Sequence, residues 1–412
     1  MYTYNNVSSS WSSVGNTLSN SLSAGTAYRM LIRGDRSINL NSNTPTATTT
    51  ILRATGQLHV GDFTISSNNL NQTSNSYSFI GNPYQSKVNM KEVLKGSGFQ
   101  NQVWYWNSRV GSRGAYVSVD FTGDNDLVIS GVGNSRIVAP GAAFFIRKQG
   151  STTSSIVFKE AHKLSTTSDA SVFRQQAREA SNFDKINIAL YDRNSALSNT
   201  ILDGLLLVFK SGLNSELDPT DMPKIPNLDE DLFVNYENSA ISIDKRNYPD
   251  IAEIIQLGIA KYRYTAYKLV FDLTQYSNLT PYLFDDHLNS YVQLQPGTIN
   301  TYNFDVNPQI VSSINQSRFK IVYQPSNLSS EDFWNDIAIY PNPTKIGNQL
   351  YIKGITDGEI IVYNMLGQKI PTQITTIENS MQVMPLGNIQ KGVYFVTILA
   401  QGKQKQLKWI IE

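Results

Sequence analysis

Val103-Trp104-Tyr105-Trp106, Ala115-Tyr116-Val117-Ser118-Val119, Ala143-Phe144-Phe145-Ile146 and Ser155-Ile156-Val157-Phe158-Lys159 are short runs of β-branched and aromatic residues. Such side chains fit a pleated, half-buried surface. Gly, Asn, Asp and Pro separate the runs at short spacing, and these residues supply turns. The stretch therefore predicts an antiparallel β-sandwich. Upstream, the pattern extends through Tyr28-Arg29-Met30-Leu31-Ile32-Arg33, Thr50-Ile51-Leu52-Arg53-Ala54-Thr55, Leu58-His59-Val60-Gly61-Asp62-Phe63 and Tyr77-Ser78-Phe79-Ile80-Gly81. Met90-Lys91-Glu92-Val93-Leu94-Lys95 reads as a helical turn or two. A first sandwich is expected over residues 1–172.

Residues 164–180 are Ser/Thr-rich, then Gln/Arg-rich, and predict a linker centred on 173–182. Strand patterns resume at Ile186-Asn187-Ile188-Ala189-Leu190-Tyr191 and continue through Asp203–Phe209, Ala240–Asp244, Glu253–Ile259, Ala266–Phe271, Tyr291–Leu294 and Phe319–Tyr323. They predict a second sandwich over 183–324, interrupted by a long acidic loop, Leu217 to Leu232. A polar linker, 325–336, leads to a third and smaller sandwich, 337–412. The expected fold class is all-β: tandem antiparallel sandwiches, immunoglobulin-like or jelly-roll-like.

Composition limits the function classes. The 412 residues carry a formal net charge of +1, with 40% hydrophobic and 16% charged residues. No basic stripe exists to gather nucleic acid, and none is expected as a partner. There is no cysteine, which removes disulfides, thiolate catalysis and Cys-ligated metals. No run approaches the roughly 18 apolar residues of a membrane span. Met1-Tyr2-Thr3-Tyr4-Asn5-Asn6 lacks the basic and apolar regions of a signal peptide, and the chain opens in mid-strand pattern. The chain is therefore expected to be the C-terminal part of a longer protein.

The end of the chain carries three motifs in order. Ile337-Ala338-Ile339 leads into Tyr340-Pro341-Asn342-Pro343. Two prolines around an Asn forbid helix and favour an extended lead into the first strand. Met365-Leu366-Gly367 suits a hairpin, with Gly367 at the position needing positive φ. Gly392-Val393-Tyr394-Phe395-Val396 precedes a basic, apolar terminal strand, Lys405–Glu412, that includes Lys408 and Ile410. Together these resemble the type A C-terminal sorting domain of type IX secretion cargo. Glu412 departs from relatives that finish on a basic or apolar residue. The resemblance implies partners: the translocon, an outer-membrane shuttle and a sortase. It implies passage through the periplasm, then secretion or attachment at the extracellular face of the outer membrane, with cutting in or near 325–336. Most motif residues are expected to build the small sandwich. The terminal strand, with an exposed edge, is expected to carry recognition by strand addition or in a groove.

Upstream, Ile80-Gly81-Asn82-Pro83-Tyr84, Val138-Ala139-Pro140-Gly141 and Arg318-Phe319 resemble turns and strand ends of large adhesin-like or gliding-associated surface proteins of the same class. Ala142-Ala143 stands where many relatives carry Gln. This resemblance implies no chemistry.

Several tempting sites have bland alternatives. Arg33-Gly34-Asp35 spells an integrin-binding tripeptide but follows an apolar run, as a turn at a strand end would. Trp104 and Trp106 share one strand face and could stack on sugars, making surface glycans a candidate partner; core packing is the favoured reading. Asp218, Asp221, Asp229, Glu230 and Asp231 fall in one loop that could hold Ca²⁺, although a solvated loop is favoured. Asp285-Asp286-His287 is a second acidic turn of the same kind. The histidines, His59, His162 and His287, lack metal-ligand spacing, and neither a nucleophile elbow nor a phosphate loop is present. No catalytic, cofactor or metal residue is assigned. The leading expectation is a non-catalytic surface protein, with a carbohydrate-binding accessory region of an exported hydrolase as the alternative.

Overall fold

The protein forms two compact units, Met1–Gln324 and Pro325–Glu412. A computed structural model describes every residue except 17–18, 33, 36, 40–47, 52, 54, 112, 130–131, 134, 165–182, 195–199, 238, 324–336, 378–379 and 401–402. The expected linkers 173–182 and 325–336 lie outside the described residues, as does Arg33.

In the first unit, an antiparallel five-stranded sheet runs Tyr77–Gly81, Ala143–Arg147, Gln102–Asn107, Ala115–Asp120, Leu127–Val128. Its residues alternate between two cores. Val103, Tyr105, Val119, Phe144 and Ile146 face a cluster that also holds the short helix Met90–Leu94, whose Met90, Val93 and Leu94 are buried. Trp104 and Phe145 face the other way. The Asn89 side chain caps that helix by accepting the Lys91 N–H.

From Asp184 onward, eleven strands belong to one sheet. Its path begins at Ser290–Gln293, Tyr282–Asp285 and Phe319–Val322, and ends at Asp184–Asp192, Ala266–Gln275 and Ile299–Asp305. Phe304, near the final end, lies 4.8 Å from the Phe319 ring, near the other. The sheet thus folds over on itself and encloses one core, which includes Leu205, Leu257, Tyr267, Phe271 and Ile321. One pairing departs from the antiparallel rule: Ile201–Phe209 runs parallel to Ser239–Arg246.

Ile201–Phe209 is buried on both faces. Leu205, Leu207 and Phe209 enter the folded-sheet core. Leu206 and Val208 pack with Phe79, Trp104, Phe145, Met222 and Ile243. That second cluster joins the two sheets, so the expected divide near residues 172–183 falls inside one compact unit. Polar contacts cross the same junction. Lys245 Nζ meets Asp120 Oδ2 at 2.7 Å, and the Ser118 and Ser242 hydroxyls are 2.6 Å apart.

Some expected strands shrink. Among the described residues of the expected 28–33, only Tyr28–Arg29 is strand, and Met30, Leu31 and Ile32 are exposed. The described residues of 50–55 form no strand, and 58–63 contributes only Phe63 to the strand Phe63–Ile65. The expected loop 217–232 contains a short strand, Met222–Pro223, and the start of Asp231–Tyr236.

The second unit is a sandwich of two four-stranded antiparallel sheets. One runs Ala338–Tyr340, Leu350–Lys353, Ser380–Pro385, Thr372–Ile377. The other runs Lys369–Ile370, Glu359–Asn364, Gly392–Ala400, Lys403–Ile411. Leu350, Ile352, Val362, Val383, Val396, Ile398 and Trp409 fill the space between them. Strict alternation along each strand puts these residues inward.

Candidate functional site

The terminal strand Lys403–Ile411 pairs along its whole length with Gly392–Ala400. Its other edge is not open throughout. Asn342 acts as a side-chain amide clamp: its Nδ2 donates to the Lys408 carbonyl and its Oδ1 accepts the Ile410 N–H, both at 2.8 Å. Thr344 continues the pairing. Its N–H donates to Ile410 O at 2.8 Å, and its carbonyl accepts the Glu412 N–H at 2.9 Å. Ile346 N–H then donates to Glu412 O at 3.1 Å. The outward backbone groups from Lys408 to Glu412 are therefore occupied within the unit, so strand addition over these residues would require displacing the clamp.

Beneath the clamp, the buried Trp409 indole N–H donates to Thr344 Oγ1 at 2.7 Å. Thr344 Oγ1 in turn donates to the Pro341 carbonyl. Tyr394 packs against Trp409 with ring centroids 5.8 Å apart, and its hydroxyl donates to Gln390 O. The prolines do not lead into the first strand as expected. Ala338–Tyr340 ends before them, and Pro341, Asn342 and Pro343 form the bend that carries Asn342 and Thr344 across to the terminal strand. This role of the motif, 66 residues from Lys408 along the chain, has no local signature.

Gly367 lies in the turn after Glu359–Asn364 with φ +76°. Asn364 organises that turn. Its Oδ1 accepts the N–H groups of Leu366 and Gln368 at 3.0 and 2.9 Å, and its Nδ2 donates to Gln368 Oε1. Met365 and Leu366 stand exposed at the tip. Of the other motif residues, Lys408 is exposed, Ile410 is half-buried, and Gly392 begins the strand beside them.

In the first unit, the acidic stretch read as a solvated loop is largely buried and committed to protein partners. Asp229 pairs with Arg113 and with Arg263. Glu230 accepts from the Tyr267 hydroxyl at 3.0 Å and faces Arg263. Asp231 pairs with Lys261 at 2.8 Å and accepts the Asn227 N–H. Asp221 accepts the N–H groups of Asp218 and Lys245 at 2.9 and 2.8 Å. Burial nevertheless pushes its carboxyl up to about 6, against those two hydrogen bonds. Asp218 receives both the Thr220 N–H and its hydroxyl. Among the described residues, no group of three or more His, Asp or Glu is arranged to hold a metal ion.

In the second acidic turn Asp285 is buried, whereas Asp286 is exposed. Arg318 grips it with two bonds, Nε to Oδ1 at 2.8 Å and Nη2 to Oδ2 at 2.7 Å. Burial raises the Asp285 carboxyl, but the hydrogen bonds from Arg318 and Tyr302 and the Arg318 charge outweigh it and hold it below the usual range. Phe304 and Phe319 lie against the guanidinium at 5.2 and 4.9 Å. A separate network binds Arg246 to Asp244, Glu253 and Tyr236 beside a cleft of about 360 Å³.

The two upstream turn motifs meet in space. Asn82 donates to Ala139 O at 3.1 Å and to Ser86 O at 2.8 Å, and its N–H donates to Ala142 O. The Tyr84 hydroxyl contacts the Gly61 and Phe158 carbonyls at 2.8 Å. They form a structural knot around buried backbone groups. Trp104 is 0% exposed and its indole donates to Pro223 O at 2.8 Å, so it has no face for a sugar. Trp106 is half-buried, with Tyr116 against its edge and the Arg29 guanidinium 4.5 Å from its ring.

Following the larger all-β unit in sequence, the second unit is a small two-sheet domain with a clamped last strand. Residues 338–412 match the family model described as a secretion system C-terminal sorting domain. Residues 1–323 match the model described as a domain of unknown function, DUF8693, and the chain belongs to that family. No curated protein matches the chain. The sorting domain makes the protein cargo of the type IX secretion system, exported to the cell surface or secreted, through interaction with that machinery. Among the described residues, no helix is long and apolar enough to cross a membrane.

Proposed function

We propose that residues 1–324 form a non-catalytic adhesive module that the type IX system presents at the extracellular face of the outer membrane. The observation that carries adhesion is the run Met30-Leu31-Ile32. These side chains are 49%, 78% and 45% exposed and belong to no strand. Exposed apolar surface of this kind favours contact with another molecule. The buried charged side chains Asp203, Asp244, Arg246, Asp285 and Arg318, by contrast, are engaged in ion pairs, which supports a binding role over catalysis. An outer-membrane shuttle delivers the chain, and a sortase cuts in or near 325–336, anchoring or releasing the first unit.

The test compares cells of a host with the secretion system that export either the full chain or a Met30→Ser/Leu31→Ser/Ile32→Ser variant. Surface amounts are matched by antibody, and attachment to protein-coated and polysaccharide-coated surfaces is counted. The expected result is attachment by wild-type cells and at least a fivefold loss with the variant. Equal attachment by cells with and without the chain would overturn the adhesive role.

A further inference from the structure

We propose that the hairpin tip Met365-Leu366 is the part of the sorting domain that docks into an apolar pocket of the export machinery; this rests on the reading of the chain as type IX cargo. Met365 is 67% exposed and Leu366 is 83% exposed. Turn chemistry does not ask for apolar side chains there. The conformation is set by Asn364, which receives two backbone N–H groups through Oδ1, and by Gly367, which takes positive φ. The two residues between them are free to be polar, as turn residues usually are. Two adjacent large apolar side chains held in water add nothing to this unit's core, and a departure from local preference without a folding gain points to binding.

The tip is also stiff. Asn364 N–H donates to Gln368 O, Gly367 N–H donates to Asn364 O, and the Asn364 and Gln368 side chains are bonded at 2.8 Å. A partner would meet a preformed knob and lose little entropy in ordering it. The alternative handle, the outer edge of the terminal strand, is occupied from Lys408 to Glu412 by residues 342–346. The occupant that fits the tip is an apolar cavity on a protein of the machinery, since neither Met365 nor Leu366 offers charge or a hydrogen bond.

The full chain with a signal peptide is expressed in a host possessing the system, and its amount outside the cell is compared with that in the periplasm. Met365→Ser/Leu366→Ser should lower export at least tenfold while leaving the unfolding midpoint of the purified chain unchanged. The swap Met365→Leu/Leu366→Met keeps the apolar character and should export within twofold of wild type. Export of the Ser variant at the wild-type level would overturn the tip as the docking element. Loss of export in the swap as severe as in the Ser variant would overturn an apolar pocket. A wild-type chain whose export does not depend on the system would overturn the cargo reading itself, which separates the two failures. Self-association of the purified chain that the Ser variant abolishes, with export intact, would reassign the tip to contacts between copies.

Discussion

Replacing Thr344 with Val removes one oxygen from beneath the clamp and nothing else of similar size. Thr344 Oγ1 accepts the buried Trp409 indole N–H at 2.7 Å, and both residues are shielded from solvent. A buried donor left without a partner costs about 1–3 kcal/mol, and the lost bond from Thr344 to the Pro341 carbonyl adds to it. A destabilisation of about 2 kcal/mol follows, which corresponds to roughly thirtyfold faster opening-limited amide exchange. For a domain of this size it also lowers the midpoint by about 10 °C. Hydrogen exchange read by mass spectrometry on the full chain tests this directly, because peptides from residues 184–323 serve as an internal control. Peptides covering 392–412 should exchange faster in Thr344→Val, whereas Thr344→Ser, which keeps the hydroxyl, should stay within about threefold of wild type. Unchanged exchange over 392–412 in Thr344→Val would refute the reasoning that the Trp409–Thr344 bond fastens the terminal strand.

Arg318→Ala leaves Asp285 as a buried carboxylate stripped of its bidentate partner, and should destabilise the first unit by about 3–5 kcal/mol in denaturant unfolding. Gly204→Ala should cost about 1–3 kcal/mol, since a Cβ there would stand 2.8 Å from an Ile129 methyl and 3.0 Å from the Ile188 carbonyl. Asp221 gives a pH dependence of definite sign. Its folded carboxyl titrates at about 6 against a usual value of 3.8, so the folded form holds the proton more tightly. That contribution is fully present below 3.8 and is lost as pH rises through about 6. Between pH 7 and pH 5, Asp221 should therefore add about 1 kcal/mol of stability, and Asp221→Asn should remove that increment from urea unfolding curves.

How much of the fold the sequence discloses depends on whether partners are local. The strands Gln102–Asn107, Ala115–Asp120 and Ala266–Gln275 are legible because alternating or continuous apolar runs fit one or two buried faces. Met30-Leu31-Ile32 has the same composition and fails as strand, because neighbouring layers decide whether a β-prone run is covered. The sequence predicts two separate upstream sandwiches, although Leu205–Phe209 is an unbroken apolar run. Such a run is buried on both faces and so implies a second layer, but it does not say which residues supply that layer. The carboxylates of 217–232 look solvated in sequence for a related reason. Arg113 lies 116 residues before Asp229, and Lys245 reaches Asp221 through its backbone 24 residues on, so no local pattern pairs them.

The sorting unit shows where such reading stops. Gly367 is legible because positive φ in a tight turn is a backbone requirement that only a few residues meet. Asn342 is not, because an Asn between prolines is equally consistent with a bare turn. Its function follows from the register of a strand 66 residues away, which presents Lys408 O and Ile410 N–H to one amide. The consequence concerns more than Asn342. A terminal strand read alone looks like an edge waiting for a partner, and edges are normally protected. Here the protection comes from the other end of the same unit, through residues 342–346. The motif that opens the domain and the strand that closes it are thus one structural element, so a lesion at Asn342 or Thr344 should mimic loss of the last residues. Asn342→Ala removes two hydrogen bonds at a water-accessible edge and should cost about 1–2 kcal/mol, less than an equivalent buried loss. Its effect should appear first as faster exchange at 408–412, before any change in the core strand Glu359–Asn364; simultaneous loosening of both would mean that the clamp and the core open as a single unit.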